Sequence, residues 1–484
     1  DVDANITSLA YLERGCTNDL ILLRTTPDVP SLDEVLGNEV STPLASILDH
    51  FSEGATFGTV SGRRQSFLLS QRPDLIPLAV RGHVETRISR LIEGRVDAIV
   101  LAEVGLARLN GTGALDGMKE GLSAFRIAKE DWPTAPGQGA IAVHCLTDRF
   151  EQMGELRSVL NHPATEADVL GERRLLKEAG GGCLYPAGIG VEGERVHVQV
   201  SPENWREIFC QGSAFSMFSY SGRLSELNLQ LPKQSLKTVH LTSGQTRYIS
   251  TLNSDRISLV LSSHGIAMEN VPVVDLSPKF DQWPQDFLRD YSSKRDWPYL
   301  VLTSPFAAKC AVQAAASNPD IGRIPWVAIG EGTARACFRL GVTVAVCAKA
   351  RNARQLATYI SENFPSPTTF FIPRSSLASP AFEEALQAAG FSVKAWIGYE
   401  NAPKELAPIE VDSEDVLVLS SASSAISWAK NGLKVPRDIL CMGDNARTTI
   451  ESLDHFDGCQ VSVLKGPTSD ALVEWWNGNR KGNR

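Results

Sequence analysis

The chain has 484 residues, too many for one hydrophobic core, and ordinary domain sizes predict roughly three to five compact units. Its 43% hydrophobic and 21% charged composition excludes a disordered or fibrous chain, and a net charge of −9 excludes a general binder of nucleic acid or anionic membranes, leaving only a local basic cleft open. No run of eighteen apolar residues and no signal-peptide pattern occurs, and nine widely spaced cysteines include no Cys-x-x-Cys pair and no histidine at ligand spacing, so a reducing, cytoplasmic setting without a metal centre or membrane span is expected.

The chain opens at Asp1 within a strand-and-loop pattern, which leads us to expect that an N-terminal piece is missing. From 56 to 110, "TFGTV", "RRQSFLLSQ", "LIPLAV", "HVETRISRLIEG", "DAIVLA" and "EVGLARL" alternate short β-rich runs with helical segments, the pattern of a parallel sheet with crossover helices. "TEADVLGERRLLKEA" (165–179) predicts a helix opened by a Thr-x-x-Asp capping box and closed at Gly180, and "AGIGV" and "RVHVQV" predict a hairpin around "EGE". A polar stretch at 221–237 separates this half from the next. There, strand, turn and helix recur at 299–316, 326–360 and 368–400, and again at 415–430 and 439–476, predicting two similar doubly wound domains. They are linked through "VPVVDLSP" (271–278) and "WIGYENAP" (396–403), so residues 236–270 are expected to pair with 403–484.

Between Gly58 and Asn110 every cation is arginine: Arg63, Arg64, Arg72, Arg81, Arg87, Arg90, Arg95 and Arg108, with no lysine. Guanidinium groups make planar, bidentate contacts to carboxylates and phosphates, so the bias predicts a polyanionic small ligand. Arg63 and Arg64 follow "GTVSG" at a strand-to-helix turn, and Arg81 closes a strand at the ligand edge of an open α/β sheet. Arg72, Arg90 and Arg95 read as solvated surface charges. Cys183, in "GGGCLYP", has two readings: a small buried hydrophobe starting a strand, or a thiol on a loop kept bare for close approach and covalent attachment.

The stretches "GTVSGRRQSFLLSQRPDLIPLAVRGHVETRISRLIEGRVDAIVLAEVGLARL", "PTAPGQGAIAVHC" and "GERRLLKEAGGGCLYPAGI" resemble hydroxymethylbilane synthase (porphobilinogen deaminase) over residues 1 to 230. The resemblance implies periplasmic-binding-protein-like α/β domains plus a small α+β cofactor domain, with a dipyrromethane cofactor joined to Cys183 by a thioether. It further implies that Thr59, Ser61, Arg63, Arg64, Arg81, Arg87, Arg108 and Gln138 line the cleft, its arginines holding the carboxylates of the cofactor and the growing pyrrole chain. In domain terms it gives an incomplete first domain (1–55 and 137–163), a second (56–136) and a cofactor-cysteine domain (164–230).

"VLTSP", "AIGEGTA", "FIPRSS", "GYENAP" and "LVLSSASS" resemble uroporphyrinogen-III synthase over 236–484, with domains at 236–270 plus 403–484 and at 275–398. This implies cyclisation of hydroxymethylbilane between the two domains, with Thr303, Ser304, Thr333, Ser420 and Ser421 as cleft residues and Tyr399 assisting loss of the terminal hydroxyl as water. The serines read equally well as ordinary turn residues at strand ends.

The first half departs from its family in one stretch. Aligned on Ser8 and Leu9, the family's His-Ser-x-Lys-Asp stretch puts Thr7, Ala10 and Tyr11 at His, Lys and Asp. Tyrosine cannot supply the carboxylate's countercharge at neutral pH. The expectation is therefore an enzyme of tetrapyrrole biosynthesis that takes a linear tetrapyrrole and cyclises it with its second half. The alternatives are a fully bifunctional enzyme that also consumes porphobilinogen, and a first half that only binds tetrapyrrole. The sequence leaves the oligomeric state open.

Overall fold

The computed structural model describes residues 5–181, 185–210, 215–229, 231, 246–253, 257–258, 261, 265–266, 268–288, 291, 297–465 and 469–480. Two compact units emerge, one of residues 1–205 with 214–234 and one of 206–213 with 235–484.

The first unit contains strands β1 (Ile6–Tyr11), β2 (Asp19–Arg24), β3 (Thr56–Gly58), β4 (Ile76–Leu78), β5 (Ala98–Ala102), β6 (Leu122–Arg126), β7 (Ala142–Leu146), β8 (Ala187–Glu192), β9 (Arg195–Val200) and β10 (Phe218–Arg223). Five of them form a sheet in the order β4-β3-β5-β2-β6. Strands β3, β4 and β5 are parallel and joined by the helices Gly62–Gln71 and Val84–Ile92, which is the crossover pattern expected from the alternating sequence. The sheet as a whole is mixed, because β2 runs antiparallel to both β5 and β6. Its sequence explains its central place and not its direction: "LILL" is apolar toward both faces, and only a central place in the sheet buries Leu20, Ile21 and Leu22 completely.

Strands β1 and β7 pair separately as an antiparallel ribbon. The helix predicted from residue 165 instead spans Pro163–Glu178: His162 caps it by accepting from the Thr165 amide, Pro163 fills the first turn, and Thr165 is buried within. Proline is well suited to that first position, where its missing N–H has no helical partner. Strands β8, β9 and β10 form an antiparallel sheet that packs Ile189, Val191, Val196 and Val198 against Leu175 of this helix.

The second unit contains β11 (Tyr248–Ser250), β12 (Met268–Asn270), β13 (Val274–Pro278), β14 (Tyr299–Leu302), β15 (Trp326–Ala328), β16 (Val346–Cys347), β17 (Thr369–Ser375), β18 (Ser392–Pro403), β19 (Val416–Leu419), β20 (Asp438–Cys441) and β21 (Gln460–Val463). One parallel sheet has the order β12-β11-β19-β20-β21, and β11 pairs directly with β19. The other has the order β13-β18-β17-β14-β15-β16, parallel except for β13, which lies antiparallel along the far end of β18. Helices follow the strands at Pro305–Ser317, Glu331–Arg339, Ala422–Lys430 and Asp444–Glu451. Each sheet has its own apolar core, around Val301, Val327, Leu356 and Phe370 in one and Ile249, Leu417, Trp428 and Ile439 in the other. The architecture is α/β apart from the antiparallel ribbon β1–β7 and the antiparallel sheet β8–β10. Among the described residues no helix is long and apolar enough to cross a membrane.

Candidate functional site

Most of the residues that sequence reasoning selects gather in three places, one in the first unit and one on each sheet of the second. In the first unit the centre is Asp19, which opens β2 and is fully buried. Its Oδ2 accepts from Arg63 Nη2 at 2.7 Å, Arg64 Nε at 3.0 Å and Trp132 Nε1 at 2.8 Å. Its Oδ1 accepts from Arg64 Nη2 at 2.6 Å and Gln138 Nε2 at 3.0 Å. Burial alone would push the carboxyl up, and the Arg64 and Arg63 guanidinium groups outweigh it, holding Asp19 below the usual carboxylate range. Arg63, only 5% exposed, also donates to the Pro133 carbonyl at 2.9 Å and lies 5.8 Å over the rings of Phe67 and Trp132. Arg64 donates its remaining Nη1 to the Val100 carbonyl at 2.9 Å.

The neighbouring turn holds this cluster in place. Gln138 donates to Thr17 O at 2.7 Å, and Gly139 follows at φ +83°, where an added Cβ would stand 2.8 Å from the carbonyl oxygens of Gly15 and Cys16. "PGQG" is therefore a close-approach turn. Ser61 caps the Gly62–Gln71 helix through the Arg64 amide, and buried Thr59 accepts from the Ser61 amide at 3.2 Å. Arg81 and Arg108 are exposed, and Arg87 donates to Gly82 O at 2.9 Å. Burial and then the nearby Arg64 push Arg87 down. Tyr11 is 2% exposed in β1, its hydroxyl donating to Ser8 Oγ at 3.3 Å. Cys183 lies outside the described residues.

In the second unit the selected residues stand at the C-terminal ends of parallel strands, where ligands bind in open α/β sheets. Thr303 and Ser304 follow β14, and Ser304 caps the Pro305–Ser317 helix by accepting from the Ala307 amide at 3.0 Å. Thr333 is buried in the first turn of the helix after β15. A register shift between Arg374 and Ser375 sets Tyr399 of β18 opposite Ser375 at the end of β17. Such a bulge re-aims a side chain. Tyr399, 6% exposed, hydrogen-bonds Ser304 Oγ at 2.9 Å and packs edge-on to Phe306 with centroids 5.1 Å apart. Burial pushes its pKa up, against the opposing hydrogen bonds from Ser304 and Ser375, so the phenol keeps its proton at neutral pH.

The other sheet carries a hydroxyl cluster after β19. Ser420 Oγ lies 3.2 Å from Thr251 Oγ1 and 2.8 Å from Ser424 Oγ, while Ser421 caps the Ala422–Lys430 helix and lies 2.9 Å from Ser424 Oγ. Sequence reasoning missed Asp19, Trp132, Thr251, Ser375 and Ser424. The signal for Asp19 was an acid heading an apolar run, "DLILL"; for Ser424 it was the fourth serine of "SSASS".

Comparison with known proteins agrees with this division. Residues 1–153 match the family model described as "Porphobilinogen deaminase, dipyromethane cofactor binding domain", and residues 255–474 match "Uroporphyrinogen-III synthase HemD". The porphobilinogen deaminase of Desulforudis audaxviator is 36% identical over 188 residues, covering 39% of this chain and 56% of that protein. A probable porphobilinogen deaminase of Hyperthermus butylicus is 36% identical over 192 residues, covering 39% and 58%. The chain thus spans little more than half the length of these relatives. Uroporphyrinogen-III synthetase of Helicobacter pylori superposes with a TM-score of 0.33 at 14% identity, over 49% of this chain and 100% of that one. The chain joins a porphobilinogen-deaminase-like N-terminal region to a uroporphyrinogen-III-synthase-like C-terminal region.

Proposed function

We propose that the chain works in tetrapyrrole biosynthesis and that its C-terminal region closes hydroxymethylbilane to uroporphyrinogen III. The observation that carries this reading is the buried Tyr399–Ser304 hydroxyl pair at the strand ends of a region that matches the synthase family. The Tyr399 phenol donates its proton to the terminal hydroxyl of the substrate as the carbon–oxygen bond breaks, so that water leaves and the terminal carbon becomes electrophilic. Amides at the helix starts after Ser304, Gly330, Ser421 and Gly443, with the hydroxyls of Thr303, Thr333, Ser420 and Ser421, hold the substrate's acidic side chains.

In this reading the N-terminal region, a periplasmic-binding-protein-like pair of lobes with a cofactor-cysteine domain, makes no hydroxymethylbilane, because Tyr11 stands where an acid–base carboxylate is required. The domain boundaries proposed from the sequence are 1–55 with 137–163, 56–136, 164–230, 236–270 with 403–484, and 275–398, except that β2 (Asp19–Arg24), which lies between β5 and β6 in the sheet of the second, belongs with 56–136. Eight free cysteines among the described residues support a cytoplasmic setting. A second reading, favoured by the match of residues 1–153 to the cofactor-binding family model, is a bifunctional enzyme with dipyrromethane on Cys183 and the growing chain held by Arg81, Arg87 and Arg108.

Porphobilinogen and preformed hydroxymethylbilane, supplied separately to the purified chain, separate these readings. Type III uroporphyrin from hydroxymethylbilane with no consumption of porphobilinogen is the expected result. Consumption of porphobilinogen establishes the bifunctional reading, and type I product alone from hydroxymethylbilane sinks the cyclase assignment.

A further inference from the structure

Residues 206–213 stand in the chain between strands β9 and β10 of the first unit, yet they belong to the second. Neither family match, over 1–153 or over 255–474, reaches them. On the helix Trp205–Cys210, the residues Arg206, Phe209 and Cys210 are spaced i, i+3 and i+4 and so share one face. Arg335, Phe338 and Arg339 repeat that spacing on the Glu331–Arg339 helix. The two faces meet. The rings of Phe209 and Phe338 pack edge-on with centroids 6.1 Å apart, and both residues are buried. Arg206 Cζ lies 5.3 Å from the Phe338 centroid, and Arg335 Cζ lies 5.1 Å from the Phe209 centroid. Each ring therefore carries a guanidinium group from the opposite helix. Burial pushes the neighbouring Cys210 thiol up to about 11, against the pull of Arg335, Arg339 and Arg206.

The far end of the same helix enters the site. It starts at Gly330 without a side-chain cap, whereas serines cap the helices after Ser304 and Ser421. With no cap to fix its entry, the first turn takes its place from contacts farther along the helix. Arg335 carries that constraint back: stacked on Phe209, it donates its Nε to Glu331 Oε1 at 2.5 Å. Thr333, two residues after Glu331, is buried in the same turn.

We propose that Arg206 and Phe209 are positioning residues for the cyclase: they brace the Glu331–Arg339 helix and so set where its first-turn amides and Thr333 meet the substrate's acidic side chains. The proposal rests on the reading of the C-terminal region as a cyclase. It gives a segment outside both family matches a part in substrate binding, at a distance from the proton donor Tyr399.

The test is Phe209→Ala in the full chain, assayed on preformed hydroxymethylbilane. KM is expected to rise roughly tenfold, about the effect of one lost hydrogen bond to a charged group, with kcat within roughly twofold of the unaltered chain. Phe209→Tyr, which keeps the ring, should restore KM, and Arg206→Ala should raise it by a smaller factor. A lower kcat at unchanged KM is what a smaller folded fraction would give, and it overturns the proposal, as does a KM indifferent to Phe209→Ala.

Should Phe209→Ala not fold, Arg206→Ala and the unaltered chain decide. With the helix seated, iodoacetamide near pH 8 should label Cys210 at least roughly tenfold more slowly than exposed Cys16, and Arg206→Ala should narrow that gap. Equal labelling of Cys210 and Cys16 in the unaltered chain refutes the bracing, and so does an Arg206→Ala variant unchanged in both KM and Cys210 labelling. An unaltered chain that turns over no hydroxymethylbilane sinks the cyclase reading itself. A working cyclase whose KM ignores both substitutions sinks the bracing alone.

Discussion

Tyr399 and Asp19 are both buried ionisable groups, and their surroundings push them in opposite directions. Burial raises Tyr399, so the protonated donor persists above the ordinary tyrosine value. The stability tied to that proton is fully present below pH of about 10 and is lost as pH rises through the raised value. Cyclisation by the unaltered chain should therefore be level from about pH 7 to about pH 10 as far as this group is concerned. Tyr399→Phe is expected to lower kcat roughly 10²-fold on preformed hydroxymethylbilane with an unchanged circular dichroism spectrum. Ser304→Ala, which removes one hydrogen bond to the phenol, should lower it roughly tenfold. Asp19 has the opposite sign. Its pKa is depressed, so its contribution is present above the ordinary carboxylate value and fades only as pH falls through the depressed one. The stability gap between the unaltered chain and Asp19→Asn, read by urea denaturation, should thus be undiminished at about pH 5.

At the scale of the element, what the sequence made legible was periodic, and what it hid was pairing. The run of strands and helices from 56 to 110 follows from local apolar pattern, as do the strand-turn-helix repeats after 299. The direction of β2 does not: "LILL" is the same apolar run whether parallel or antiparallel, and its neighbours β5 and β6 lie far along the chain. Tyr399 stood out in "GYENAP", yet Ser375 joins it only through a register shift that no periodicity announces. The arginine-rich stretch gives no sign of its acidic partner, because Asp19, which pairs with Arg63 and Arg64, lies 44 residues before Arg63. Gly398 is a case where packing fixes the residue type. A Cβ there would come within 2.6 Å of Pro373 Cβ on the neighbouring strand. Gly398→Ala is expected to cost roughly 1–3 kcal/mol in denaturant unfolding and to lower kcat as well, since Tyr399 is the next residue. Ser421→Ala should cost about 1 kcal/mol through the lost helix cap, whatever its part in binding.

For the molecule as a whole, the cysteines give a test of packing that needs no substrate. Burial pushes Cys310 and Cys337 up to about 12, and Cys347 and Cys441 up to about 11, leaving almost no thiolate at neutral pH. Brief treatment of the folded chain with iodoacetamide near pH 8 should leave these four unmodified in peptide mass maps, while exposed Cys16 is labelled. Labelling of the four at the rate of Cys16 would mean that the cores of the second unit are not packed as described.

The ribbon between β13 and β18 has one more consequence, for how the protein could be taken apart. The chain leaves the five-stranded sheet after Asn270, builds the whole six-stranded sheet, and returns with Val274 facing Pro403; the Lys404 amide even bonds the Val273 carbonyl at 3.0 Å. A short splice from 273 to 404 would therefore close the gap and release 274–403 as a single cassette. That cassette takes Ser304, Thr333, Ser375 and Tyr399 with it, and the remainder keeps Thr251, Ser420 and Ser421. The cut separates Tyr399 from the hydroxyl cluster, so the proposed cyclisation would need both pieces although the fold divides between them.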